Sequence, residues 1–166
     1  MSGAVTGRIG ARTAGWILGL ALACGALLAD PPSIYDPMAD AGAAVKAALE
    51  GAAATRVRVM VVFGADWCGD CRALDAALKS ADNAPLVEKH FKVVKVNVGK
   101  FDKNLELAAS YGLPLKRGIP GLVLLTQAGK VAYVTKSGEL ASARKMGAEG
   151  IHEFLVKLAQ RPDEAP

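Results

Sequence analysis

Two thiols three residues apart, set where an apolar β-branched run gives way to a helix-forming one, constrain this chain more than any other feature of it. The stretch is Phe63-Gly64-Ala65-Asp66-Trp67-Cys68-Gly69-Asp70-Cys71-Arg72. Before it, Val57 to Phe63 reads as a strand, and after it Arg72 to about Lys79 reads as a helix. Cys68 is therefore expected at a helix N-terminus, where unpaired backbone N–H groups and the macrodipole favour a thiolate. Cys71, one turn on, is close enough to form a short-loop disulfide with it. This is the arrangement of a redox dithiol. Two other readings compete with it. A zinc site needs four ligands, and the chain offers one Cys-x-x-Cys pair with His90 and His152 far apart and outside metal-binding spacing. A purely structural bridge would remove little unfolded-state entropy across so short a loop.

The rest of the pattern alternates helix and strand. Ala39 to Ala53 is Ala-rich, with Val45 and Leu49 four apart, and reads as a first helix. Lys92 to Val98 is a second strand, and two apolar strands separated by a helical stretch imply a parallel βαβ crossover. A helix follows around Asn104 to Tyr111. Leu122 to Thr126 and Val131 to Thr135, joined through Gln127-Ala128-Gly129-Lys130, read as an antiparallel hairpin, and Gly150 to Ala159 as a closing helix.

Trp67-Cys68-Gly69-Asp70-Cys71 resembles the Trp-Cys-x-x-Cys active site of the thioredoxin family, and Gly118-Ile119-Pro120 before Leu122-Val123-Leu124-Leu125 resembles that family's cis-proline loop and the strand after it. The resemblance covers roughly residues 40–160. It implies an α/β, thioredoxin-like fold, a central mixed β-sheet flanked by helices on both faces. It assigns Cys68 as the attacking thiol and Cys71 as the resolving thiol, roles that their spacing independently favours. It also implies a cis Ile119–Pro120 bond, with the Ile119 backbone beside the dithiol offering hydrogen bonds to an extended substrate. Trp67 becomes a substrate-facing platform as well as a packing residue. No bound cofactor is implied, since the cysteine pair itself carries the electrons.

Two departures from the family matter. Asp70 stands where thioredoxin has proline and sets a carboxylate beside the two sulfurs; with Asp66 it should oppose thiolate formation, against the helix terminus and Arg72. A less stabilised thiolate means a more reducing couple. The alternative is that Asp70 only solvates an exposed turn. Secondly, Val62 occupies the position, six before the first cysteine, where thioredoxins carry a buried acid; Lys95, like the lysine that accompanies that acid, would then lack its partner. Gly69, Asp70, Trp67 and Lys95 are thus the residues expected to tune the dithiol. Lys116 and Arg117 add charge to a loop longer than its thioredoxin counterpart.

The first thirty residues have the order of a secretory signal: Arg8 and Arg12, an apolar run from Ala14 to Ala29, and no acid before Asp30. Residues 1–29 are read as an export signal, 30–39 as a Pro-rich tether, 40–160 as the domain and 161–166 as a tail. Leu20-Ala21-Leu22-Ala23-Cys24 partly resembles a lipoprotein signal, so Cys24 is either lipidated or removed with the signal core. Loss of Arg8 and Arg12 would take the formal charge of +4 down by two, and the remaining Lys and Arg are dispersed among acids, which leaves nucleic-acid binding without a basic stripe. The expectation is an exported or periplasmic thiol–disulfide oxidoreductase, favouring reduction of disulfides in protein substrates and fed by a membrane thiol-relay donor, with N-terminal membrane attachment open. Its rivals are a periplasmic oxidase or isomerase, and a thioredoxin-fold binding module without turnover.

Overall fold

The computed structural model describes residues 33–162; the expected export signal, Cys24, residues 30–32 of the expected tether and residues 163–166 lie outside them. Strand β1 (Arg58–Gly64) is buried at every position. Its continuous apolar run suits a strand covered on both faces and paired on both edges. Strand β2 (Phe91–Asn97) lies parallel to it on one side, and β3 (Gly121–Leu125) antiparallel on the other; β4 (Val131–Val134) completes the order β2-β1-β3-β4. The two-residue side-chain period divides β1 between two cores. Val59, Val61 and Phe63 pack with Ala41, Val45, Ala48 and Ala52 of helix α1 (Ala41–Thr55) and with Ala108 of helix α4 (Leu105–Ser110). Met60 and Val62 pack on the other face with helices α2 (Gly69–Leu78), α3 (Ala84–His90) and α5 (Ala143–Ala159). The sheet is therefore mixed and covered by helices on both faces, the α/β thioredoxin-like architecture.

Two local differences from the sequence reading have physical causes. The last helix begins at Ala143 rather than near Gly150, and is interrupted at Gly147, whose φ of 67° and ψ of −177° lie outside the helical region and favour glycine. The segment read as a tether is not free beyond residue 32. Tyr35 is 1 % exposed, and Asp66 in the β1–α2 loop accepts hydrogen bonds from Ser33 Oγ (2.6 Å) and from the Ile34 and Tyr35 amides (2.8 and 3.2 Å). Proline spacing suggested an extended linker, and one buried aromatic turned part of it into a strap on the domain. Among the described residues no helix is long and apolar enough to cross a membrane.

Arg58 ties the start of β1 to the end of α5. Its guanidinium donates to the carbonyls of Ala159 (2.7 Å) and Arg161 (2.9 Å) and lies 5.4 Å from the Phe91 ring centroid. These are charge-assisted bonds at a helix C-terminus, where a cation also opposes the macrodipole. Replacing Arg58 with Ala should lower stability by about 2–4 kcal/mol, read from urea unfolding midpoints at constant slope; a midpoint unchanged from the parent would show that these bonds contribute nothing net.

Candidate active site

β1 delivers the chain to a turn over Ala65, Asp66 and Trp67, and α2 starts immediately after it. Cys68 is the N-cap of α2: its backbone is extended (φ −81°, ψ 112°) and its sulfur accepts from the Cys71 amide at 3.1 Å. A sulfur thus stands where Ser or Asp often caps a helix, facing the orphan N–H groups and the positive end of the dipole. Cys68 and Cys71 are joined in a disulfide with a Cα separation of 5.2 Å. Cys68 retains 6 % exposure and Cys71 none. Only the first sulfur is open to attack from outside.

The proline loop closes over the same sulfur. The Ile119–Pro120 peptide is cis, and Cys68 Sγ lies 3.5 Å from the Ile119 carbonyl oxygen. Gly118, at φ 112°, lets the chain enter that loop; a Cβ there would stand 2.7 Å from the Ala141 side chain. Trp67, just before Cys68, is 58 % exposed, held by a bond from Nε1 to the Gly99 carbonyl (2.7 Å) and by an edge contact with Phe101 at 6.0 Å between centroids. Phe101 itself is 41 % exposed and sits at φ 64°, a left-handed conformation uncommon for an aromatic residue. Two partly exposed aromatic rings in mutual contact therefore lie next to the Cys68 segment, one of them on the residue immediately before it. Sequence reading identified the indole but missed Phe101, which no motif marks. Lys116 and Arg117 form a short 3₁₀ turn, Leu115–Arg117, and both side chains are exposed.

Three expectations about charge are revised by partners that spacing could not supply. Asp70 is not an uncompensated charge between the sulfurs: it accepts from the Arg144 amide (2.9 Å) and from Arg144 Nη2 (3.1 Å). These bonds hold its carboxyl below the usual carboxylate range. The same guanidinium lies over Gly69, where a Cβ would come within 3.1 Å of its Cζ. Asp66 faces the strap rather than the thiols. Burial works against its charge, but the bonds from Ser33, Ile34 and Tyr35 and the positive Arg72 prevail and hold its carboxyl low. Arg72 is itself spent on the turn, its Nε donating to the Asp66 carbonyl at 2.7 Å. Lys95, finally, does have a partner. Its ammonium bonds the carboxylate of Asp75, which also accepts from Lys79 at 2.9 Å. Asp75 is one helical turn beyond Cys71 and is mostly buried, so the acid that Val62 does not supply from β1 comes from α2 instead. Burial lowers the Lys95 pKa, against the opposing pull of Asp66. Among the described residues no group of three His, Cys, Asp or Glu side chains could hold a metal ion.

A family profile described as thioredoxin-like matches residues 40–126, more than half of the chain. The chain is 38 % identical over 78 residues to thioredoxin 1 of Nostoc, a match covering 47 % of this chain and 65 % of that protein. It is 36 % identical over 86 residues to a thioredoxin of Buchnera aphidicola, covering 52 % of this chain and 70 % of that protein. The chain thus spans a little under two thirds of the length of thioredoxin 1 of Nostoc. Among solved structures, one titled a disulphide isomerase from Xylella fastidiosa Temecula1 superposes with a TM-score of 0.74 at 50 % identity, covering 76 % of this chain and 97 % of that one. A capping cysteine at a strand–helix junction, bridged to a buried one beneath a cis-proline loop, defines the class. The chain belongs to the thioredoxin-like family.

The Asp70–Arg144 pair should act on Cys68 as opposed charges. Arg144→Gln should raise the Cys68 pKa, Asp70→Asn should lower it, each by less than about one unit because the pair is partly solvated, and the double variant should return near the parent value. Alkylation rate against pH measures this; a double variant equal to the sum of two shifts of one sign would refute it. Asp66 and Asp70 also predict an acid dependence. With folded pKa values lowered, their stabilisation is complete above the unfolded value near 3.8 and is lost as pH falls through the lower folded values. Amide exchange at Ile34 and Tyr35 should accelerate in that acid range before global unfolding.

Proposed function

We propose that this chain is an exported thiol–disulfide oxidoreductase that exchanges disulfides with protein substrates through Cys68 and Cys71, acting in the reducing direction. The observation that carries the exchange chemistry is the asymmetry of the pair, with one sulfur capping a helix at the surface and the other sealed in the core. In the proposed cycle the Cys68 thiolate attacks a substrate disulfide and forms a mixed disulfide. Cys71 then attacks Cys68 Sγ, the substrate leaves as a thiolate that takes a proton from water, and the Cys68–Cys71 disulfide remains. Two electrons pass from the dithiol to the substrate. The rim of Trp67, Phe101 and the Ile119 backbone supplies apolar contact and main-chain hydrogen bonds for an extended segment.

The reducing direction no longer rests on Asp70, whose charge Arg144 offsets. What supports it is that the identified stabiliser of the Cys68 thiolate is the helix N-terminus that its sulfur caps. The Arg144 charge nearest the pair is taken up by Asp70 and so adds little of the stabilisation of the reduced form that makes a strong oxidant. Export rests on the N-terminal signal order, and a membrane thiol-relay donor on the family resemblance. The Xylella relative's title favours a second reading, isomerisation, in which the same pair reshuffles disulfides.

A glutathione equilibrium separates the two readings. A reductant should fall near the thioredoxin potential of about −270 mV, an isomerase near about −180 mV. Cys68→Ser should abolish insulin reduction, and Cys71→Ser should accumulate mixed disulfides without turnover. Comparable alkylation rates for the two reduced cysteines would contradict the assigned order.

A further inference from the structure

The strap raises a question that disulfide exchange alone does not answer. A short segment between prolines carries one aromatic residue, and the fold leaves that residue 1 % exposed. The strap is held by the three bonds to Asp66 and by Asn97 Nδ2, which donates to the Tyr35 carbonyl at 3.0 Å. The Tyr35 ring ends at Gly64. A Cβ on Gly64 would stand 2.5 Å from Tyr35 Cζ, closer still to Tyr35 Oη, and 2.9 Å from Cys71 Sγ. The phenol oxygen and the resolving sulfur therefore both border the space that Gly64 leaves by having no side chain. Among the described residues no nitrogen or oxygen pairs with that hydroxyl. A disulfide sulfur is a weak acceptor, whereas a thiolate is a strong one.

We propose that the Tyr35 hydroxyl is the hydrogen-bond donor that stabilises the Cys71 thiolate, making a residue outside the Cys-x-x-Cys segment part of the resolving step. This rests on the dithiol-exchange reading for its consequence and on geometry for its existence. When Cys71 attacks the mixed disulfide, the donor favours the ionised nucleophile; when a reducing partner attacks Cys68, the donor meets the thiolate that Cys71 becomes on leaving. Tyr35 keeps its proton throughout. Burial, and then the negative charge of Asp66, push its ionisation well above the ordinary phenol range, so it serves as a donor and not as a base. The charged group that acts on Tyr35 is Asp66 from the loop; Lys95, bonded to Asp75, stands beside Val62 on the other face of the sheet, and the residues of α1 and α4 packed with Tyr35 are apolar.

The test is Tyr35→Phe, which keeps the ring and removes only the donor. In a Cys68→Ser background, the Cys71 titration should move up by about one unit relative to Tyr35, the tenfold effect of a hydrogen bond to a charged group. In the two-cysteine protein, loading Cys68 with thionitrobenzoate and timing its release by Cys71 should show resolution slowed about tenfold at neutral pH, with the Cys68 alkylation rate unchanged. An unaltered Cys71 titration together with unaltered release would overturn the proposal. Should Tyr35→Phe fold poorly, the Tyr35 Cζ resonance of the Cys68→Ser protein supplies the second measurement: it must titrate with Cys71, and a resonance that ignores that titration also overturns the proposal. Neither readout uses a protein substrate, so failure of insulin reduction would count against the oxidoreductase reading while leaving this one standing.

Discussion

Where α2 begins decides most of what this chain can do. β1 is locked between two neighbours and buried at every position, so the point at which it releases the chain is fixed by the sheet. Three residues later the chain must become helical, and the residue at that boundary is a cysteine whose sulfur satisfies the Cys71 amide. The sulfur holds its place as any N-cap side chain does, by answering an orphan donor. The same geometry leaves it facing the helix dipole, with Cys71 one turn inside. Reactivity and capping thus come from one arrangement of backbone.

Around that boundary the charges are paired rather than left to act on the thiols. Asp70 meets Arg144 from α5, Asp66 is committed to the strap, and Lys95 meets Asp75. The three pairings draw in α5, the segment before α1 and β2, so the local electrostatics of the dithiol depend on tertiary contacts across the whole domain. A carboxylate with two hydrogen bonds from one arginine perturbs a neighbouring sulfur far less than a bare one. The helix terminus, facing the Cys68 sulfur directly, is accordingly a stronger local influence on that sulfur than the paired carboxylate between the cysteines.

Much of this was legible in the chain itself. The β-branched run, the Cys-x-x-Cys spacing and the Gly-Ile-Pro segment before a second apolar run fix local periods and backbone restrictions, and these give the order of elements and which of the two thiols caps the helix. Cys68 and Cys71 are three residues apart, so helical geometry alone relates them. Asp75, four residues after Cys71, was not singled out by the sequence, because nothing local marks it as the partner of Lys95 on another strand.

What the sequence by itself determined is therefore everything that short-range geometry controls: strand β1, the cap at Cys68, the hairpin turn at Gly129 and the two sulfurs. Only the tertiary structure decided which side chains meet across long separations. Arg144 reaches Asp70 because α5 packs on α2, and Tyr35 reaches the neighbourhood of Cys71 because Gly64 leaves room for a ring from the far end of the domain. Such pairings follow from how helices and strap settle on the two faces of the sheet, a choice made by burial of many apolar residues at once rather than by any local preference.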